Sequence, residues 1–160
     1  VFSNTTLDNT SFRISHGWCP TFKSCSIEKT VFSESTLPGG IFEEMKGQRI
    51  KFKAAKMESA NFKDVTFIET EFQSTVFKGA TLSDAKFYRC DFSKADFSGS
   101  KLINVEFRGC ILKGTQFCDA TFVKVDLSGS DLADADFNNV GMHEWILKGV
   151  KNKEEAKNMP

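Results

Sequence analysis

"FYRCDFSKADFSGSKLINVEF", residues 87–107, carries a large apolar residue at 87, 92, 97, 102 and 107. A period of five fits neither regular element. On an α-helix five residues advance about 140° beyond a full turn, so these side chains would spiral around the helix and form no stripe. On a flat strand an odd period sends alternate side chains to opposite faces. If Phe87, Phe92, Phe97, Leu102 and Phe107 all point inward, the backbone must turn between them, always the same way. Such a chain is a coil around an axis.

The beat extends in both directions from this stretch. Every fifth residue from Phe2 to Met142 gives 29 positions, and 27 of them hold Phe, Leu, Ile or Met; the exceptions are Gly17 and Gly47. The residue two earlier is small or β-branched almost throughout, as at Cys90, Ala95, Ser100 and Val105. Two residues apart on an extended segment share a face, so the large residue and its small companion both face the axis. A narrow interior holds one large side chain per side only if the companion is small. Cys90 and Cys110 are therefore core fillers in this register, and Cys118 is the expected exposed thiol.

The segments "KADFSGSKL" (94–102) and "SGSDLADADF" (128–137) resemble the A(D/N)LXX repeat of the pentapeptide-repeat family, and the match covers about residues 1–147. The resemblance implies an all-β fold, a right-handed quadrilateral β-helix with four pentapeptides and twenty residues per coil. At strand-like spacing of about 4.8 Å between coils, about seven coils make a rod roughly 34 Å long. Folding the sequence at twenty residues puts Phe12, Phe32, Phe52, Phe72 and Phe92 in one column and Phe77, Phe97, Phe117 and Phe137 in another. The expected organisation is a repeat solenoid over 1–142, irregular at 15–20 and 38–51, followed by a cap and polar tail over 143–160.

In "SHGWCP" (15–20) Gly17 occupies a large position, and Trp18 is expected to swing in and replace the missing side chain. In "LPGGIFEEMKGQRIKF" (37–52) Gly47 occupies a large position while Met45 and Ile50 overfill small ones, which predicts a bulge or loop. Trp18, Gly47 and Arg49 mark these segments as candidate contact loops. A solenoid end exposes core and unpaired strand edges. Trp145, Ile146 and Val150 are therefore expected to lay a turn or short helix over the C-terminal end. Repeats that begin at Phe2 without an initiator Met predict a fragment or processed form, with a neighbouring domain before Val1.

The totals narrow the function classes. Lys+Arg and Asp+Glu are 21 each, giving zero net charge, which removes the simplest arguments for nucleic acid or an anionic membrane as a bulk partner. No apolar run is long enough for a transmembrane helix. The five Cys lack zinc-site spacing and are accompanied by only two His, 16 and 143. Their odd number and the Phe-rich core argue for buried free thiols and a reducing compartment, the cytoplasm. His16 with Cys19, and His143 with Glu144, are the only pairs that hint at catalysis, and no nucleotide or metalloprotease motif accompanies them. We therefore expect no enzyme, no cofactor and no metal.

The outward positions carry the remaining information. Residues 46–63 hold six Lys or Arg against Glu58, and residues 119–136 hold five Asp against Lys124. The middle is basic and the C-terminal region acidic. Ile68 and Tyr88 occupy one outward position a coil apart, as do Ile103 and Val123 on the adjacent side, with Ile111 close in sequence. Stacked apolar residues on a smooth face form a candidate partner surface. These features predict a protein-binding scaffold, with an end-to-end dimer compatible with the fold. The alternative that the resemblance raises is a DNA mimic acting on a type II topoisomerase, whose known examples are acidic overall. A duplex surrogate should be negative along its length, and this chain is not.

Overall fold

The structure, a computed structural model, describes residues 1–159. Its rungs are parallel and repeat every twenty residues: Phe2 lies opposite Phe22, Phe22 opposite Phe42, and so on to Phe122 opposite Met142. The chain is an all-β parallel solenoid of about seven turns. We number the four sides of each coil by their inward residues, so the first coil has Phe2, Leu7, Phe12 and Gly17. The first and second sides form short strands, such as Asn61–Lys63 and Thr66–Ile68. The third and fourth sides touch their neighbours through single bridges, such as Glu71 with Asp91 and Val76 with Asp96.

Each side ends in a corner, and the corner explains the period. Two residues after the inward one, the backbone enters the left-handed region, as at Asp64 (φ 53°), Glu69 (50°), Ser74 (56°) and Gly79 (64°). This conformation disfavours side chains with a Cβ, so it must be over-determined. It is. The N–H of Asp64 donates to Ser83 O at 3.0 Å, and that of Glu69 donates to Tyr88 O at 3.0 Å, so the following coil holds each corner. On the third and fourth sides the turn also closes on itself, with Ala55 N–H donating to Phe52 O at 2.9 Å. A left-handed third residue with that bond is a type II turn. Ile14 (φ 55°) is the one β-branched residue at such a corner among the described residues.

All 17 Phe of the chain occupy inward positions. On the third side the rings of Phe12, Phe32, Phe52, Phe72 and Phe92 stack at centroid distances of 4.5–5.0 Å. Rings on neighbouring sides meet edge-on, as Phe87 meets Phe92 at 5.2 Å and 88°. Both geometries suit the aromatic quadrupole. The small positions are more than fillers. Thr30 Oγ1 donates to Leu7 O at 2.6 Å and Thr75 Oγ1 to Phe52 O at 2.7 Å, each reaching back 23 residues to the preceding coil. Cys90 and Cys110 use their thiols in the same way, on Phe67 O at 3.4 Å and Phe87 O at 3.3 Å. On the second side the hydroxyl or thiol pairs a buried carbonyl, which alanine would not; Phe52 O already accepts from Ala55 N–H, and Thr75 gives it a second bond.

Three expectations change. Residues 15–20 and 38–51 do not break the ladder: His16 bridges Thr36, Ile41–Glu43 pairs with Asn61–Lys63, and Lys46–Gln48 pairs with both Ser26–Glu28 and Thr66–Ile68. At Gly47 the coil stays regular because its large neighbours fill the gap; Met45 and Ile50 are fully buried. Trp18 does not swing inward. It is 89% exposed, because the outward position of an extended side points its indole away from the axis.

The third change lies at the C-terminus. The coil does not give way to a cap at 143; Trp145–Ile146 pairs with Val125–Asp126, and Lys151 bridges Asp131. Trp145 and Val150 fill small positions of this last coil and pack on the core, while Ile146 points out and is 50% exposed. The only helix among the described residues is the 3-10 turn Lys153–Glu155. It inserts one residue, so Asp136 pairs with Lys157 at an offset of 21.

Candidate interaction surfaces

The twenty-residue register brings the expected apolar pairs together. Ile68 lies opposite Tyr88 on the second side, and Ile103 lies opposite Val123 on the first. Ile103 is 42% exposed, while Ile68, Tyr88 and Val123 are half-buried. Ile111, 44% exposed, sits on the third side and joins neither pair. Sequence proximity misplaced it, because eight residues along the chain turn two corners.

Tyr88 is less free than its apolar ladder implies. Its hydroxyl donates to Glu106 Oε2 at 2.9 Å, and burial followed by the Glu106 carboxylate pushes the phenol up from its ordinary pKa. The same Glu106 oxygen lies 3.2 Å from Arg108 Nε, and Lys86 Nζ lies 3.8 Å from the other oxygen. Arg108 Nε also donates to Asp126 Oδ2 at 2.7 Å. The second side therefore carries an ordered array of an aromatic ring, a guanidinium and three charged partners. Tyr and Arg held in this way lose little entropy on binding and are favoured at interface centres.

Asp126 anchors that array. It is 6% exposed and accepts from Ser128 N–H at 2.8 Å, from the Ser128 hydroxyl, and from Arg108. Burial alone would raise its pKa, but the Ser128 bonds and then Arg108 outweigh it and hold the carboxyl below its ordinary value. A group whose folded pKa is depressed contributes stability that is complete above its unfolded pKa and is lost as pH falls through the folded one. Urea midpoints should therefore fall as pH drops below about 4. Asp126→Asn should lower the neutral-pH midpoint and remove its share of that acid-side fall. If the variant loses midpoint in parallel with wild type, the Asp126 carboxylate carries no such share.

The remaining candidates are placed as follows. Arg49 is at a corner and pairs with Glu28, and Gly47 lies at the floor of an open groove on the second side. That groove, about 310 Å³, is walled by Asp8, Glu28, Lys46, Gln48 and Ile68 and was not anticipated. Cys19 is the exposed thiol, whereas Cys118, outward in register as expected, is half-buried. Cys25, Cys90 and Cys110 are buried, and burial pushes the Cys110 thiol up. His16 and His143 both sit in the ladder, through the Thr36 bridge and the His143 N–H to Phe122 O at 3.0 Å. No group of three His, Cys, Asp or Glu that could hold a metal occurs among the described residues. Nor is any described helix long and apolar enough to cross a membrane.

Stacked type II corners, twenty-residue coils and inward Phe columns define a solenoid built from five-residue units. Sequence comparison agrees: the profile "Pentapeptide repeat region" matches residues 51–117, and "Pentapeptide repeats (8 copies)" matches residues 100–139. The chain belongs to the pentapeptide-repeat family. Among solved structures, it is similar to a trypsin-treated variant of QnrB1, a plasmid-mediated fluoroquinolone resistance protein. The TM-score is 0.52 at 18% identity, covering 98% of this chain and 92% of the other. Full-length QnrB1 gives 0.51 at 17% identity, with 98% and 93% covered. The pentapeptide-repeat protein Rfr23 from the cyanobacterium Cyanothece 51142 gives 0.44 at 12%, with 89% and 90% covered. At 17–18% identity the likeness to QnrB1 shows the shared fold. No curated protein sequence matches the chain.

Proposed function

We propose that the protein is a non-catalytic, protein-binding scaffold whose first and second sides present its partner surface. The observation that carries this reading is the alignment of Ile103 with Val123 and of Ile68 with Tyr88 on adjacent sides of one rigid rod. Backbone hydrogen bonds are consumed between coils, so the sides recognise through outward side chains alone. The Tyr88–Glu106–Arg108 array lies beside the Ile103–Val123 pair and supplies a polar rim. The mixed charge along the rod weighs against a DNA mimic, since cations such as Lys86 and Arg89 interrupt any continuous negative stripe. The free thiols favour a reducing compartment such as the cytoplasm.

The test is quantitative capture with wild type, Ile103→Asp and Tyr88→Asp. Each substitution puts a charge in the contact and should weaken a partner at least about tenfold, roughly 1.4 kcal/mol, and Ile103→Asp should do so with the melting temperature held. Partners that all survive both substitutions would exclude these two sides as the interface.

A further inference from the structure

The N-terminal half of the third side carries a second feature, independent of the apolar pairs. Arg13, Val31, Glu34, Lys51, Lys53 and Ala54 line a groove of about 450 Å³. Two outward rows flank it, one through Val31 and Lys51 and the other through Arg13 and Lys53. Residues two apart on an extended segment stand about 6.6 Å apart, so the rows enclose a trough that runs along the rod. Stems and methyl groups of Val31, Ala54 and the lysines give it an apolar floor beneath a charged rim.

The rim has surplus positive charge. Arg13 uses Glu34, at 2.9 Å, and Lys51 reaches Glu71 only at 3.9 Å. Lys53 has no ion pair among the described residues. At the corner between the second and third sides, Lys29 and Arg49 share the single carboxylate of Glu28. In the next coil the sign reverses, at Glu69 on the corner and Glu71 on the side; one coil further Asp91 is again acidic on the side, while Arg89 on the corner pairs back to Glu69. The basic stretch is therefore short. At its N-terminal rim stands Ile14, 56% exposed and held in the left-handed region, where its branched Cβ is disfavoured.

We propose that this groove binds an acidic, extended segment of a partner protein. The segment's carboxylates would engage Lys51, Lys53 and the open face of Arg13, and one apolar side chain would lie between Val31 and Ala54, which line the groove. A peptide can confine its acids to the basic stretch. A nucleic-acid strand, charged along its whole length, would run onto Glu69, Glu71 and Asp91. The proposal rests on the reading of the protein as a protein-binding scaffold, but it uses a different side of the rod.

Fluorescence anisotropy with the whole chain tests it. The probe is a labelled peptide of about eight residues, long enough to overrun three coils when extended, alternating Glu with Leu and Ser. Saturable binding that weakens at least about tenfold in Lys51→Glu/Lys53→Glu, weakens less in Lys51→Gln/Lys53→Gln, and falls with added salt supports the proposal. Circular dichroism of both variants should match wild type. Ile103→Asp should leave peptide affinity unchanged, so loss of the first reading and loss of this one are separable. No saturable binding, equal binding of a Lys-for-Glu peptide, or tighter binding of a single-stranded oligonucleotide of equal charge would overturn it.

Discussion

Phe92→Ala is expected to lower the free energy of unfolding by about 3–5 kcal/mol, the range of large aromatic truncations in rigid cores. Phe92 is fully buried and stacks on Phe72 at 4.5 Å and 3°. It meets Phe87 and Phe107 edge-on, both at 5.2 Å, and leans on Phe97 at 5.6 Å and Phe77 at 6.3 Å. Five rings would lose a face or an edge at once. They cannot close on the void, because each is fixed to a backbone that is hydrogen-bonded above and below. Phe12→Ala should cost markedly less, because Phe12 lies in the first coil and is only partly buried. Urea unfolding followed by circular dichroism measures both. Since solenoids can unfold locally, tryptophan fluorescence in a Trp18→Phe background, which reports Trp145 alone, should be read in parallel. A loss below about 1 kcal/mol at Phe92 would place its ring outside the core.

The coil was legible because its cause is local and repeated. A large residue every fifth position, a small one two before it and a corner two after it describe the same turn many times over, so no single exception hides the register. What the sequence concealed depends on neighbours from different coils. Tyr88 finds Glu106, Arg108 finds Asp126, and Gln73 finds Asp91, each across 18 residues. That spacing joins an outward residue to the other outward row in the next coil. Scanning for complementary pairs at offsets of 18, 20 and 21 would have found this network, along with Arg89–Glu69 and Arg13–Glu34. The C-terminal end was misread for a related reason. Trp145 looks like a cap residue because it is large, yet its pairing with Val125, twenty residues earlier, puts it in a small position of a further coil, where its indole packs edge-on against Phe137 at 6.0 Å.

The segment around Gly47 shows most directly why position-by-position counting fails, and it carries the second large expected effect. Restoring the consensus with Gly47→Phe should destabilise the protein by about 3 kcal/mol, at the upper end of overpacking costs. A Cβ at Gly47 would lie 2.6 Å from Ile50 Cδ1, 2.7 Å from Ile27 Cγ1 and 2.8 Å from Ile27 O. Ile50, large in a small position, has already taken the space that a side chain at 47 would use. The excess at one position and the deficit at the other are one packing solution. Ile50→Ala alone should open a cavity and cost about 2–5 kcal/mol. Combined with Gly47→Phe, the total should fall short of the sum by at least about 1 kcal/mol, since contacting residues couple. Recovery should stay incomplete, because Ile27 O belongs to the backbone and can yield only if the Lys46–Gln48 strand moves outward against its two neighbours. Strict additivity in the cycle would mean that Ile50 does not occupy the space left by Gly47.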